Sequence, residues 1–127
     1  MDAKRCISYL TIELRNSIPL EFRKAMGNRV FGCDDCQLVC PWNKFTRPSD
    51  ESDFSPRHGL DNAALVDLFK WTEQEFLERT AGSPIRRIGY ACWLRNLAVG
   101  LGNAESSTEL IAALEAGRSS APPMVRE

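Results

Sequence analysis

Cys33-Asp34-Asp35-Cys36-Gln37-Leu38-Val39-Cys40-Pro41 sets three thiols at the spacing C-x2-C-x3-C-P. A tight turn over residues 33–36 points two thiolates at neighbouring corners of one metal assembly. Amides exposed in such a turn can donate hydrogen bonds to cluster sulfurs. Cys40 comes one helical turn later and faces elsewhere, and Pro41 stops any helix there. Thiolate is a soft ligand that selects iron–sulfur clusters or zinc over hard cations.

The spacing matches the last three cysteines of the bacterial ferredoxin run C-x2-C-x2-C-x3-C-P, whose last cysteine serves the other of two clusters. The first cysteine of that run would fall at position 30, where the chain has Val30. A substitute must come from upstream, and Cys6 is the only cysteine there. The 26 residues between Cys6 and Cys33 would then form an insertion. A zinc site usually presents two C-x2-C pairs; here the second half is x3-C-P, and the one histidine, His58, lies in a predicted loop. A thioredoxin-like role for Cys33 and Cys36 needs a strand and a sheet around them, and no strand pattern is visible. Cys92 sits in the apolar run Tyr90-Ala-Cys-Trp-Leu94 and reads as a small buried hydrophobe.

The rest of the composition bounds these readings. The chain has 127 residues, 43% hydrophobic and 26% charged, enough for one small domain with a core and too apolar for global disorder. No uncharged stretch approaches the length needed to span a bilayer, and the start Met1-Asp2-Ala3-Lys4-Arg5 lacks the apolar core of a signal peptide. A cytoplasmic protein without a membrane partner is expected. Five cysteines are an odd number in a reducing compartment, so a disulfide framework is excluded. Sixteen basic against 17 acidic side chains leave no bulk electrostatic footprint for nucleic acid, and any basic patch must be local.

Helical periodicity dominates outward from the motif. Residues 3–14 read as an amphipathic helix capped by Asp2, with Cys6, Tyr9, Leu10 and Leu14 on one side. Ser17-Ile18-Pro19 opens a short helix ending near Met26, with Gly27 after it. Residues 46–59 read as a surface loop. Beyond it, helices are predicted over 61–69, from the capping box Thr72-Glu-Gln-Glu75 to Gly82, from Ser83-Pro84 to about Leu101, and over 108–116 from the box Ser106-Ser-Thr-Glu109. Gly89 and Gly100 would weaken the third of these by ~1 kcal/mol each, so both are expected to serve close packing. Residues 118–127 read as a loose tail. The expected fold is mostly α: a partial ferredoxin-like iron–sulfur segment at 1–45, then a HEAT-like antiparallel helical array at 60–117.

Arg5-Cys6-Ile-Ser-Tyr-Leu-Thr-Ile-Glu13, Gly27-Asn-Arg29, the run Gly32 to Asn43, Arg86-Arg-Ile-Gly89 and Trp93-Leu-Arg-Asn96 resemble tRNA epoxyqueuosine reductase, over the C-terminal part of that enzyme. The resemblance implies an oxidoreductase of queuosine biosynthesis. Such an enzyme has an N-terminal cobalamin-binding domain, two 4Fe–4S clusters and a helical HEAT-like domain. It reduces epoxyqueuosine to queuosine at the tRNA wobble position, draws on an electron donor, and works as a monomer. It further implies that Cys6, Cys33 and Cys36 ligate one cluster and Cys40 the other, and that Ser8 and Asp34 approach the corrin. The family's first cysteine run, its cobalamin domain and its general acid have no counterpart in these residues, so this chain alone is expected to be inactive.

Between Arg79 and Ala104 the sequence carries Arg79, Arg86, Arg87 and Arg95 and no acid. Such a face can hold tRNA phosphates, which set register without reading sequence; the plainer alternative is a solvated helix face. Trp42, Trp71 and Trp93 read as packed between helices before they read as base-stacking platforms, and Tyr9 and Tyr90 as core with a polar tip. Two other functions remain open on the residues: a stand-alone electron carrier gathering Cys6, Cys33, Cys36 and Cys40 around one cluster, and a zinc-stabilised RNA-binding module. On any cluster reading Cys92 is a packing residue. Cys92→Ser is expected to bind as much iron and sulfide as the parent after anaerobic reconstitution, and a loss of iron would make Cys92 a ligand.

Overall fold

A computed structural model describes residues 2–126. Seven α-helices occur among them: α1 (Leu20–Met26), α2 (Asp35–Leu38), α3 (Leu65–Phe69), α4 (Glu73–Arg79), α5 (Tyr90–Gly102), α6 (Thr108–Ser120) and α7 (Pro123–Arg126). Short 3-10 turns and one π-helical turn join them, and no strand occurs among the described residues. The fold class is as the sequence indicates, mostly α, with the cysteine segment leading into a helical array.

The array is built around α5, which is buried on nearly every side: Cys92, Trp93, Leu94, Leu97 and Leu101 all lie in the core. Helices α1, α3, α4 and α7 pack on it. Leu68, Phe69, Trp71, Phe76, Ile88 and Leu110 complete one continuous cluster. Trp71 and Trp93 stack with centroids 5.7 Å apart, and the Tyr90 hydroxyl donates to the Trp71 carbonyl at 2.6 Å. Two of the three tryptophans therefore pack between helices, in line with the sequence, while Trp42 is 73% exposed. None of the described helices is long and apolar enough to cross a membrane.

Local chemistry sets the boundaries. Thr72 and Glu75 form the expected reciprocal capping box, and the Ser83 hydroxyl accepts from the Ile85 amide. Elsewhere the structure departs from the sequence reading. Residues 3–14 are not one α-helix: a 3-10 turn over Ala3–Arg5 breaks at Cys6, and Tyr9–Glu13 is π-helical, closed by Leu14 N–H donating to the Tyr9 carbonyl. The Thr11 hydroxyl bonds back to the Ile7 carbonyl at 2.8 Å, the kind of competing contact that opens a helical ladder. The helix expected over 61–69 starts only at Leu65, because His58 and Gly59 at positive φ first turn the chain. The helix from Ser83 is cut in two at Gly89 (φ 77, ψ 159), a conformation glycine tolerates. Arg15 donates to the Ile88 carbonyl at 2.7 Å at that break. Gly100 does serve close packing: a Cβ there would meet Leu65 Cδ1 at 3.0 Å.

The cap of α6 is Ser107, which accepts from the Leu110 amide, rather than Ser106. Glu109 pairs with Lys70 instead of closing a box. The expected loose tail is also corrected: α6 runs on to Ser120, Ala121 is buried, and α7 packs on α5. Residue 127 of that tail lies outside the described residues.

Helix α6 reaches the core through Gly117, where a Cβ would sit 2.6 Å from Phe69 Cε1. Overpacking a buried ring costs ~1–3 kcal/mol, against a gain of ~1 kcal/mol in helix propensity. Gly117→Ala is expected to destabilise the chain by about 1 kcal/mol on balance. At Gly102, the last residue of α5, a Cβ would meet nothing within 4 Å. Gly102→Ala is expected to stabilise by about 0.5–1 kcal/mol. Urea unfolding of the two variants would show whether their shifts have opposite signs.

Candidate iron–sulfur site

The four candidate ligands, Cys6, Cys33, Cys36 and Cys40, are all free thiols with solvent access. Cys6 is exposed, where the chain leaves the first 3-10 turn. Cys33 is half-buried between two left-handed residues, Gly32 (φ 77) and Asp34 (φ 57). Cys36 is exposed on the single turn of α2, and Cys40 is half-buried as the cap of a 3-10 turn over Pro41–Phe45. Cys92 is buried in α5.

The loop is held by its own polar groups. The Asp34 carbonyl accepts from the Gln37 and Leu38 amides at 2.8 and 2.9 Å, which closes the tight turn between Cys33 and Cys36. Asn43 Nδ2 donates to the Gln37 carbonyl at 2.6 Å and the Leu38 carbonyl at 3.2 Å, tying Cys40's side of the motif back onto α2. Arg29 reaches both Asp35 carboxylate oxygens, at 3.0 and 2.9 Å. That guanidinium, with the Cys33 thiol second, holds the Asp35 carboxyl below its usual range. A paired aspartate costs a neighbouring thiolate less repulsion than a bare one.

Among the described residues, no three His, Cys, Asp or Glu side chains converge as a single metal ion requires. A mononuclear zinc site needs its donors at about 2.0–2.3 Å from one centre. Thiolates also suit iron–sulfur clusters, whose ligands reach separate iron corners. Ser8 is half-buried beside the same loop: a Cβ at Gly32 would come to 4.0 Å from its hydroxyl. Asp34 is exposed and accepts from Gln37 Nε2 at 3.0 Å. Of the two candidates for the corrin side, Asp34 thus lies on the cysteine loop and Ser8 beside it.

Of the four arginines expected to hold phosphate, Arg95 must be withdrawn. It is 2% exposed, and its guanidinium donates to the Leu14, Asn16 and Leu10 carbonyls at 2.7, 2.6 and 2.9 Å. Burial holds it below the ordinary arginine value, and it stays charged. Arg79 pairs with Glu75 at 3.6 Å and lies over the Trp71 ring. Arg87 bonds Glu13, and Arg86 is exposed. The run without acids is balanced by acids from other elements, so only Arg86 and the outer face of Arg87 remain as a local cationic surface.

Sequence reasoning missed Arg29, Asn43, Thr11 and Asn96 as supports of the cysteine segment. Their polar character was the only signal, because their partners are fixed by tertiary contact. It also missed the exposure of Leu38, Val39, Trp42 and Phe45, which form an apolar rim beside Cys36 and Cys40.

Residues 1–43 match the family described as "4Fe-4S double cluster binding domain". Over 127 residues the chain is 64% identical to epoxyqueuosine reductase of Pseudomonas aeruginosa, of which it covers 35%. It is 60% identical over 127 residues to that of Xanthomonas campestris pv. campestris, of which it covers 36%. Among solved structures, epoxyqueuosine reductase from Bacillus subtilis matches 99% of this chain with a TM-score of 0.86 at 30% identity, over 34% of that protein. Another epoxyqueuosine reductase, solved with an epoxyqueuosine-modified tRNA stem loop, also gives 0.86 at 30% identity, over 99% of this chain and 33% of that one. The chain spans about a third of the length of the curated relatives it matches. The chain is thus similar along its length to a part of epoxyqueuosine reductases, and its first 43 residues to a 4Fe-4S double cluster binding domain.

Proposed function

We propose that the chain serves as the C-terminal part of an iron–sulfur, cobalamin-dependent reductase that converts epoxyqueuosine to queuosine in tRNA. One observation carries this reading: three free thiols in the C-x2-C-x3-C-P setting, with Cys6 upstream as a fourth, on a chain similar along its length to those reductases. Removing the epoxide oxygen takes two electrons and two protons, breaks both C–O bonds, leaves an alkene and releases water. When bound, the clusters supply electrons one at a time and the cobalamin supplies the nucleophilic metal.

This chain's own part is to hold thiolates and to meet the RNA. Cys6, Cys33 and Cys36 would ligate one cluster and Cys40 the other, with further thiolates coming from an adjoining part of the enzyme. The apolar rim of Leu38, Val39, Trp42 and Phe45 supports that division, since such side chains beside incomplete ligand sets suit an edge that another part covers. Ser8 and Asp34 would line the corrin side of the loop. Arg86 and the outer face of Arg87 would meet tRNA phosphates. The reading includes an external electron donor, a cytoplasmic setting and a monomeric complete enzyme. Residues 1–45 form its cluster segment and residues from 60 onward its HEAT-like part.

Cys33→Ser and Cys36→Ser are each expected to remove one cluster, read as iron and sulfide content and as loss of broad visible absorbance. The chain by itself should give no queuosine from epoxyqueuosine tRNA with cobalamin and a strong reductant present. Turnover by residues 1–127 alone would sink the division of ligands, and a colourless protein that retains zinc would favour the zinc module instead. A single complete cluster on the isolated chain, dependent on Cys40, would favour the electron carrier.

The cationic surface has its own test. Arg86→Glu combined with Arg87→Glu is expected to weaken tRNA binding by the complete reductase by roughly tenfold at low salt, with the deficit shrinking as salt rises, because counterion release carries such contacts. Equal affinities at low salt would leave these arginines as a solvated face.

A further inference from the structure

Cys6 and Cys33 are far apart in sequence, and a closed loop of that length leaves a broad ensemble unless something pins its ends. The pin is visible in the structure. Asn96 Nδ2 donates to the Thr11 carbonyl and to the Val30 carbonyl, each at 2.8 Å, and so bridges the two segments that carry the cysteines. The Thr11 hydroxyl accepts from the Gly32 amide at 3.0 Å and donates to the Ile7 carbonyl at 2.8 Å. The Cys6 carbonyl accepts from the Leu10 amide at 3.0 Å. Arg95 clamps the same π turn from its other end through Leu10, Leu14 and Asn16, and braces Asn96 Oδ1 at 2.8 Å. Hydrogen bonds therefore link the backbone of Cys6 to the residue preceding Cys33 through side chains that are all fully buried.

We propose that Arg95 and Asn96 are positioning residues for the cluster: they lock the π turn after Cys6 against residues 30–32, so that the Cys6, Cys33 and Cys36 thiolates face one cubane. The proposal rests on the reading of those cysteines as ligands. Neither residue touches the cluster. They act through the backbone, as the outer supports of a metal site do, where a lost support commonly costs about 10–100-fold in affinity. Arginine suits its place because a planar fork serves three carbonyls, where lysine offers one compact point.

The test has a metal-free arm and a cluster arm. In residues 1–127 without metal, Asn96→Asp removes the Nδ2 donor at constant volume. Hydrogen exchange at the Gly32 amide is expected to quicken about tenfold, the factor one lost buried hydrogen bond allows, although Asn96 does not touch that amide. Leu97→Ala, the neighbouring core residue with no polar role, should loosen α5 without raising Gly32 exchange relative to the α5 amides. In the complete reductase, Asn96→Asp and Arg95→Lys should change the electron paramagnetic resonance line shape and midpoint potential of one reduced cluster. Leu97→Ala should leave both as in the parent. Thr11→Val is the milder variant should Asn96→Asp fold poorly, and the same shifts are expected from it.

If Leu97→Ala alters Gly32 exchange and the cluster signature as Asn96→Asp does, the pair is structural only and the proposal falls. If Cys33→Ser removes a cluster while Asn96→Asp and Thr11→Val leave its signature intact, the proposal falls and the ligand reading stands. If Cys33→Ser removes no cluster, the ligand reading falls first and takes the proposal with it.

Discussion

Five backbone carbonyls, those of Leu10, Thr11, Leu14, Asn16 and Val30, end their hydrogen bonds on two consecutive side chains of α5, Arg95 and Asn96. Buried carbonyls must find donors, and a π turn followed by extended chain cannot supply them from within itself. The guanidinium and the amide do so from the core side. The first 32 residues bury few apolar side chains, Leu10, Ile18 and Met26 being the principal ones. Their placement therefore depends on this polar junction more than on hydrophobic contact.

The junction also explains a buried charge that has no carboxylate beside it. Taking a guanidinium out of water is costly, and a pair with an acid often only breaks even. Arg95 is instead met by three carbonyl oxygens and Asn96 Oδ1, all within 3.1 Å. Four dipoles aimed at one cation replace hydration without introducing a second desolvated charge. Removing the cation would strand three carbonyls at once, so the cost of its loss falls on the N-terminal segment as well as on α5.

Legibility in the sequence follows the range of the interaction. The box at Thr72 and Glu75, the cap at Ser83 and the stop at Gly27 are settled within four residues, and the structure has them where local chemistry puts them. The turn between Cys33 and Cys36 is local in the same way, closed on the Asp34 carbonyl within four residues. Arg95 reads as part of a cationic surface because its carbonyl partners lie some 80 residues upstream, and nothing in a helical repeat says which face meets a displaced strand of backbone. Residues 3–14 have the apolar period of a helix, and the period is blind to the Thr11 hydroxyl and the Arg95 fork that pull the ladder open. The tail reads as loose through its serines and paired prolines, which lack a helical period yet leave Ala121 buried and Met124 and Val125 packed against the core.

The same geometry separates the molecule's stability from its metal chemistry. The continuous apolar cluster runs through α3, α4, α5 and α6, and no cysteine of the motif belongs to it. A structural zinc domain owes its folding energy to the metal; here the helical array has its own core, and the thiols stand outside it on a rim of short turns. Such rims open locally at low cost, which would suit the cluster loading proposed for these thiols. What the rim lacks in apolar contact it receives through Thr11, Asn96 and Arg95, whose bonds run from the core outward. The backbone beside Cys6 and Cys33 is thus tied to the array, and a change deep in α5 reaches the cysteine segment through these hydrogen bonds.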